Sequence, residues 1–346
     1  MRPIFQPTLV NGAFGDPGLY VDFLFERRAL LFDLGDLAAL SGRKLLRVSH
    51  AFVTHTHMDH FVGFDRLLRL CVGRATAVHL FGPPGFVAQV EHRLAAYTWN
   101  LVANYDTNFT LTASELAPSG TVQAARFECK RRFACEPLPE SAAPEGVLVD
   151  EDAFRVRAVL LDHQVPCLGF ALEEKEHLNI WKNRLAEMDL PVGPWLRELK
   201  RAMARGDPRE TAFRIEWRDR SGRHERTLPI SRLEAAVRRV PGQKIGYVTD
   251  VAGHAANRER IASLVRDADL LFIEAMFAEE HAGHAARKFH LTAREAGATA
   301  RAAGARVVVP FHLSPRYAGE YARVAAEVQE AFGAPLGGDA AQGAPA

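Results

Sequence analysis

The chain has 346 residues, room for one large domain with insertions or two smaller ones. Hydrophobic residues make up 48% and charged residues 25%, the balance of a water-soluble globular enzyme. The formal net charge of +1 excludes a globally basic nucleic-acid binder, so any basic surface must be local. No apolar run approaches the roughly 20 residues of a membrane span, and Met1 to Gln6 carry no long apolar stretch. Cys71, Cys129, Cys135 and Cys167 show no CxxC spacing, so reduced thiols and a cytoplasmic location are expected.

In chain order, residues 19–25 and 29–32 predict two strands joined by the turn Glu26-Arg27-Arg28. Helix or loop is expected at 37–47, then a strand at 48–53. Thr54-His55-Thr56-His57-Met58-Asp59-His60 follows, and a helix-like apolar run at 61–72. If the backbone is extended at His55 and His57, both imidazoles point the same way and reach one metal. Asp59 and His60 then sit at a turn into a helix and suit a second ion. A strand at 77–81 stops at Gly82-Pro83-Pro84-Gly85, and 86–99 predicts a helix. Residues 104–149 hold a hairpin at 122–135 and a Pro/Ala/Glu loop at 136–146. Strands are expected at 153–161, ending in Asp162-His163, and at 168–172.

Residues 173–239 break the alternation. Lys and Arg outnumber Asp and Glu there, and Pro191, Gly193, Pro194, Gly206 and Pro208 punctuate the segment. It predicts two helices and a strand pair at 212–217 and 226–230, with Trp181 and Trp195 in a small core of their own. Lys200, Arg201, Arg205 and Arg209 would offer a phosphate-binding face. Regular structure returns with a strand at 243–249 ending in Asp250, a helix at 257–266, a strand at 270–273, a helix at 292–303, a strand at 306–310 ending at Phe311-His312, and a helix at 320–332. Thr292 and Glu295 have the spacing of a capping box. Strands alternating with helices predict an α/β fold. Residues 1–172 and 240–335 read as the two halves of one core, 173–239 as an inserted arm, and 336–346 as a disordered Gly/Ala-rich tail.

The ligand-type residues sit at strand ends: His55, His57, Asp59 and His60, then His163, Asp250 and His312. Imidazole and carboxylate suit a divalent transition metal, most simply zinc, with manganese or iron as alternatives. These residues resemble the metallo-β-lactamase fold superfamily, whose signature is His-x-His-x-Asp-His. Within it the chain resembles ribonuclease Z, the tRNA 3′-processing endonucleases. The carrying stretches are residues 54–63 (THTHMDHFVG), 82–85 (GPPG), 162–170 (DHQVPCLGF), 188–200 (MDLPVGPWLRELK), 288–293 (KFHLTA) and 310–317 (PFHLSPRY). The resemblance implies an αββα sandwich with a protruding arm and two zinc ions per subunit. His55, His57 and His163 would take one ion, Asp59, His60 and His312 the other, with Asp250 bridging. Two ions roughly 3.5–4 Å apart hold a hydroxide ready to attack a phosphodiester. Asp59 would also accept a proton. His290 would be the general acid, with a helix-start capping role as the alternative, and Glu274 would either orient it or satisfy nearby backbone. Gly193 and Pro194 would belong to the arm that grips precursor tRNA, with Lys200, Arg201 and Arg205 beside them. A homodimer is also implied. The chain departs from the pattern at residues 7–19, at Met58, at Thr249-Asp250-Val251 and at Ile273-Glu274-Ala275-Met276. These departures keep two other readings open: a hydrolase of a small phosphodiester, sulfate or carboxylic ester, and a non-catalytic RNA-binding relative.

Overall fold

The computed structural model describes residues 4–175, 177–219 and 222–337, so the tail expected at 336–346 lies, from 338 on, outside the described residues. The chain packs into two units. The first takes the segments up to Asp150, Arg155–Glu173 and from Gln243 on; the second takes Glu151–Phe154 and Glu174–Gly242.

In the first unit, β1 (Phe5–Leu9), β2 (Leu19–Phe23), β3 (Ala29–Phe32), β4 (Val48–Phe52), β5 (Ala77–Gly82), β6 (Thr110–Leu116), β7 (Thr121–Glu128) and β8 (Cys135–Ala142) form one sheet in sequential order. Its centre, β3 to β6, is parallel. Parallel strands are covered on both faces, which is why β3 reads Ala-Leu-Leu-Phe and is buried throughout. The second sheet contains β9 (Val147–Asp150), β10 (Phe154–Asp162) and β11 (Pro166–Glu174). The chain then leaves for the second unit, with β12 (His177–Ile180), β13 (Ala212–Asp219), β14 (Gly222–Pro229) and β15 (Val237–Val240). It returns as β16 (Lys244–Val248), β17 (Leu270–Glu274) and β18 (Val308–Phe311), giving the order β18-β17-β16-β11-β10-β9.

An aromatic layer joins the sheets. Phe32 and Phe52 stack at 5.0 Å, Phe52 and Phe81 at 5.2 Å, and Phe32 meets Phe170 and Tyr247 at 5.7 Å. Such pairs add about 0.5–1.5 kcal/mol each beyond their burial. Alternation sends Leu31, Ala51 and Leu80 to the other face, where they pack with side chains of the helices on that side. The helices on that side are α1 (Gly42–Leu45), α2 (Met58–Phe61), α3 (Phe64–Cys71) and α4 (Phe86–Ala95). In α3, Phe64, Leu67, Leu68 and Cys71 are buried at helical spacing. Gly63 opens that helix because nothing larger fits: a Cβ there would lie 2.1 Å from the Gly35 carbonyl oxygen.

The second unit adds α5 (Lys182–Glu187), α6 (Trp195–Arg205) and α7 (Ile230–Leu233). β12 pairs with β15, β13 with β14, and Leu185, Trp195, Leu199, Ile215 and Leu233 form a core. Back in the first unit, α8 (Ala255–Leu264), α9 (Ala282–Lys288), α10 (Ala293–Ala302) and α11 (Tyr321–Phe332) follow. Side chains of α8, α10 and α11 cover the outer face of the second sheet, completing an αββα sandwich. The Thr292–Glu295 capping box forms as expected.

Two expectations are corrected, and one strand appears where no element was expected. Residues 136–142 belong to strand β8; Pro137 and Pro139 read as a loop, but an edge strand tolerates prolines. Residues 5–9 form an edge strand, β1, with Pro7 inside it. Trp195 is buried in the arm's core, but Trp181 is 52% exposed beneath the Arg184 guanidinium.

Candidate metal centre

The expected ligands lie at strand ends or in the helix that directly follows one. His55 follows β4, His57 caps the start of α2, and Asp59 and His60 lie in α2. His163 follows β10, Asp250 follows β16, and His312 follows β18. Asp250 and His312 have left-handed backbone, both at φ 53°, as do Asp33 (58°), Gln164 (63°) and Phe289 (59°). Non-glycine residues there are strained and persist where surrounding structure holds them. Half of the ten such residues described cluster at this one site.

The strands bring all seven side chains together. Donor atoms of His55, His57, His163 and Asp250 lie within 4.8 Å of one another, as do those of Asp59, His60 and His312. Asp250 Oδ2 is 3.6 Å from His55 Nε2, 3.4 Å from His60 Nε2 and 3.4 Å from His163 Nε2, so it faces both groups. Asp59 Oδ2 is 3.6 Å from His60 Nε2 and 3.5 Å from His312 Nε2. Donors about 2.1 Å from one tetrahedral zinc would lie about 3.4 Å apart, close to these spacings. The Nε2 atoms of His55 and His60 are buried without a hydrogen-bond partner. A buried nitrogen left unpaired is costly, and an ion would satisfy both. The donor set therefore fits divalent metal.

The second nitrogen is pinned in four of the imidazoles, those of His55, His60, His163 and His312. His60 Nδ1 bonds Asp33 at 2.9 Å, His163 Nδ1 donates to the Phe289 carbonyl at 2.8 Å, and His55 Nδ1 meets Thr54 Oγ1 at 3.1 Å. His312 Nδ1 meets Asp250 Oδ1 at 2.7 Å and Thr249 Oγ1 at 3.2 Å. Outer partners of this kind fix ring orientation and leave Nε2 to ligate. Burial drives the His55 imidazole down to about 2, into the neutral form that binds metal. Burial alone would raise Asp250, but His312 and His60 hold its carboxyl well below the usual range. Its charge in turn lifts His312 to about 9 against burial. Burial likewise raises Asp59, and the His312 hydrogen bond and His60 outweigh it, leaving it at about 2.

His290 and Glu274 join the cluster, with donor atoms within 4.8 Å of those of Asp250 and His312. Glu274 does both things open from sequence: Oε2 accepts from His290 Nδ1 at 2.8 Å, and Oε1 accepts from the Val251 amide at 2.7 Å. Burial lowers His290, but the Glu274 charge outweighs it and raises the imidazole above its ordinary value. Phe289 and His290 are thus both tied to the cluster, one by its carbonyl on His163 and the next by its side chain on Glu274.

The arm candidates lie in the second unit and in two separate hollows of it. Lys200, Arg201 and Arg205 line a cleft of about 600 Å³ with Arg197, Lys175 and Arg239. Gly193 and Pro194 line another of about 450 Å³ with Val192 and Trp217. The four cysteines are free thiols; Cys167 is buried beneath the centre, where burial and the neighbouring carboxylates keep it protonated.

Sequence reasoning missed Asp33. Fully buried, it accepts from the Thr54 amide at 2.7 Å, from Tyr247 Oη at 3.0 Å and from His60. Its signal was the one the ligands share: a carboxylate directly after an apolar strand.

The family described as beta-lactamase superfamily domain matches residues 203–313. The Ribonuclease Z of Deinococcus radiodurans is 33% identical over 291 residues, covering 83% of this chain and 83% of its own. The Ribonuclease Z of Bacillus velezensis is 28% identical, covering 86% of this chain and 82% of its own. The metallo-β-lactamase fold protein YhfI from Bacillus subtilis superposes with a TM-score of 0.54 at 16% identity, over 96% of this chain and 95% of that one. Human short-form tRNase Z does so with a TM-score of 0.51 at 17% identity, over 90% and 94%. These two structures share the αββα fold with this chain. The identity to the Deinococcus enzyme and its extent, together with the strand-end donors, place the chain in the ribonuclease Z family.

Proposed function

We propose that this chain is a metal-dependent endoribonuclease that removes 3′ trailers from precursor tRNA. The observation that carries this reading is the convergence of seven donor residues in two adjoining groups, with Asp250 facing both, in a chain of this family. His55, His57 and His163 would hold one zinc ion, Asp59, His60 and His312 a second, with Asp250 shared. Bound metal supplies charge neutralisation at the scissile phosphodiester and makes water a better nucleophile. Asp59, kept ionised by His312 and His60, accepts that water's proton. His290, kept protonated by Glu274, gives its Nε2 proton to the leaving 3′-oxygen. The inserted arm, residues 173–239, meets the body of the RNA: Lys200, Arg201 and Arg205 take phosphates, and Gly193-Pro194 with Trp217 offers a second, less charged contact. The working form is a cytoplasmic homodimer in which one copy's arm serves the other's centre.

The test is cleavage of a labelled precursor tRNA beside hydrolysis of bis(p-nitrophenyl) phosphate. Cleavage of both supports the reading. Hydrolysis of the small ester alone overturns it in favour of a small-ester hydrolase. Excising residues 187–209 should abolish tRNA cleavage and spare the ester; equal loss of both removes the arm from substrate binding. Sedimentation that finds only monomer at assay concentration removes the dimer.

A further inference from the structure

We infer that Asn257 is a positioning residue for the metal centre, tying the His163 and Asp250 loops together through its side-chain amide. This rests on the metal reading above. Asn257 lies in the first turn of α8 and is fully buried. An asparagine is a weak helix former, and a buried amide is tolerated where its bonds are made. Here they are made to backbone. Nδ2 donates to the Asp162 carbonyl at 2.9 Å and to the Ala252 carbonyl at 2.9 Å, and Oδ1 accepts from the Asp162 amide at 3.1 Å. Asp162 directly precedes His163, and Ala252 lies two residues beyond Asp250.

The amide stands where a strand would otherwise pair. β9 pairs with β10 only along Arg155–Arg157, so the last residues of β10 need other partners on that edge. Asn257 serves Asp162, and Arg260, one turn on, donates Nη1 to the Leu160 carbonyl at 3.1 Å. Residues 160 and 162 share an edge as 257 and 260 share a helix face. The Ala252 amide closes the joint with a 2.9 Å bond to the Asp162 carbonyl. Asp250, in left-handed backbone, needs such a restraint to hold its carboxylate at the common point of the donors. Arg260 docks on the same strand but bonds neither ligand loop's tip, so it separates positioning from plain stability.

The test compares Asn257→Ala with Arg260→Ala. Zinc is titrated into metal-free protein in competition with a chelating dye, and thermal unfolding of the metal-free proteins is followed in parallel. The expected result is a loss of zinc affinity of about 10-fold or more for Asn257→Ala, the range typical of an outer partner. Arg260→Ala should hold wild-type affinity even where its metal-free melting temperature falls as far. Affinity within about 2-fold of wild type, or a loss matched by Arg260→Ala, overturns the assignment. If Asn257→Ala does not fold, Asn257→Ser is judged by the same criteria. A wild-type protein that takes up no zinc instead removes the metal reading itself.

Discussion

Polar side chains are held differently in the two units. Around the metal centre they are buried and chained: Tyr247 to Asp33, Asp33 to Thr54 and His60, Glu274 to His290 and Val251. In the arm they pair at the surface: Arg214 with Glu225 at 2.6 Å, Arg201 with Glu198 at 2.9 Å, Arg209 with Glu234 at 2.6 Å, with the arginines 61–71% exposed. Buried groups cannot trade partners with water, so the first arrangement fixes atoms in space. Exposed ion pairs are weak and screened, so the second holds its side chains far less firmly. One arrangement fixes its polar atoms; the other leaves them in exchange with solvent.

The largest effects should come from breaking the buried set at its shared point. Asp250→Ala removes the carboxylate that faces both donor groups. Bound metal, measured by elemental analysis, should fall, and cleavage should drop well beyond the ~10–100-fold typical of losing an outer partner. A variant with unchanged metal would undo the bridging assignment. Next in size is the proposed proton donor. His290→Ala should retain metal and lose about 10²–10⁴-fold in rate. Glu274→Gln keeps the hydrogen-bonding shape and removes the charge that raises His290. A general acid works while protonated, so activity falls as pH rises through its pKa. Lowering that pKa should move the alkaline limb of kcat/KM to lower pH. A limb that stays in place excludes His290 as the acid.

Asp33→Asn should act more mildly. It removes the charge beneath His60 while leaving the ligands themselves intact, so zinc affinity should fall by about 10–100-fold. Unchanged affinity would show that Thr54 alone orients the ring.

What sequence revealed and what it hid follow from how far apart the partners lie along the chain. The candidate donors were legible because four of them share one short run after β4 and His163, Asp250 and His312 each follow an apolar strand. The Thr292–Glu295 cap was legible because its partners are three residues apart. Asp33 follows strand β3 in the same way, but its role was not legible, because its partners His60 and Tyr247 lie 27 and 214 residues away. Asn257 looked like an ordinary helix-start asparagine for the same reason. Strand β8 was hidden by Pro137 and Pro139, which signal a break everywhere except at a sheet edge. Trp181 was misplaced because an aromatic in a short insertion reads as core, and only the packing shows that Trp195 and Leu199 fill that core.

The smallest effects test the arm. Lys200, Arg201 and Arg205 line one cleft, and burial lowers the Lys200 ammonium from its ordinary value. Arg201 and Arg205 have carboxylate partners, Glu198 and Asp207. If these groups bind substrate and transition state alike, as proposed, replacing all three by glutamine should raise KM for precursor tRNA with little change in kcat. For every phosphate no longer neutralised, the log–log salt dependence of binding should also become shallower by about 0.9. Hydrolysis of bis(p-nitrophenyl) phosphate, too small to span two sites, should not change. A triple variant with wild-type KM and salt slope would assign the cleft's charges to the arm's own stability, leaving Arg209 and the Gly193-Pro194 hollow with Trp217 as the arm's remaining candidate contacts with RNA.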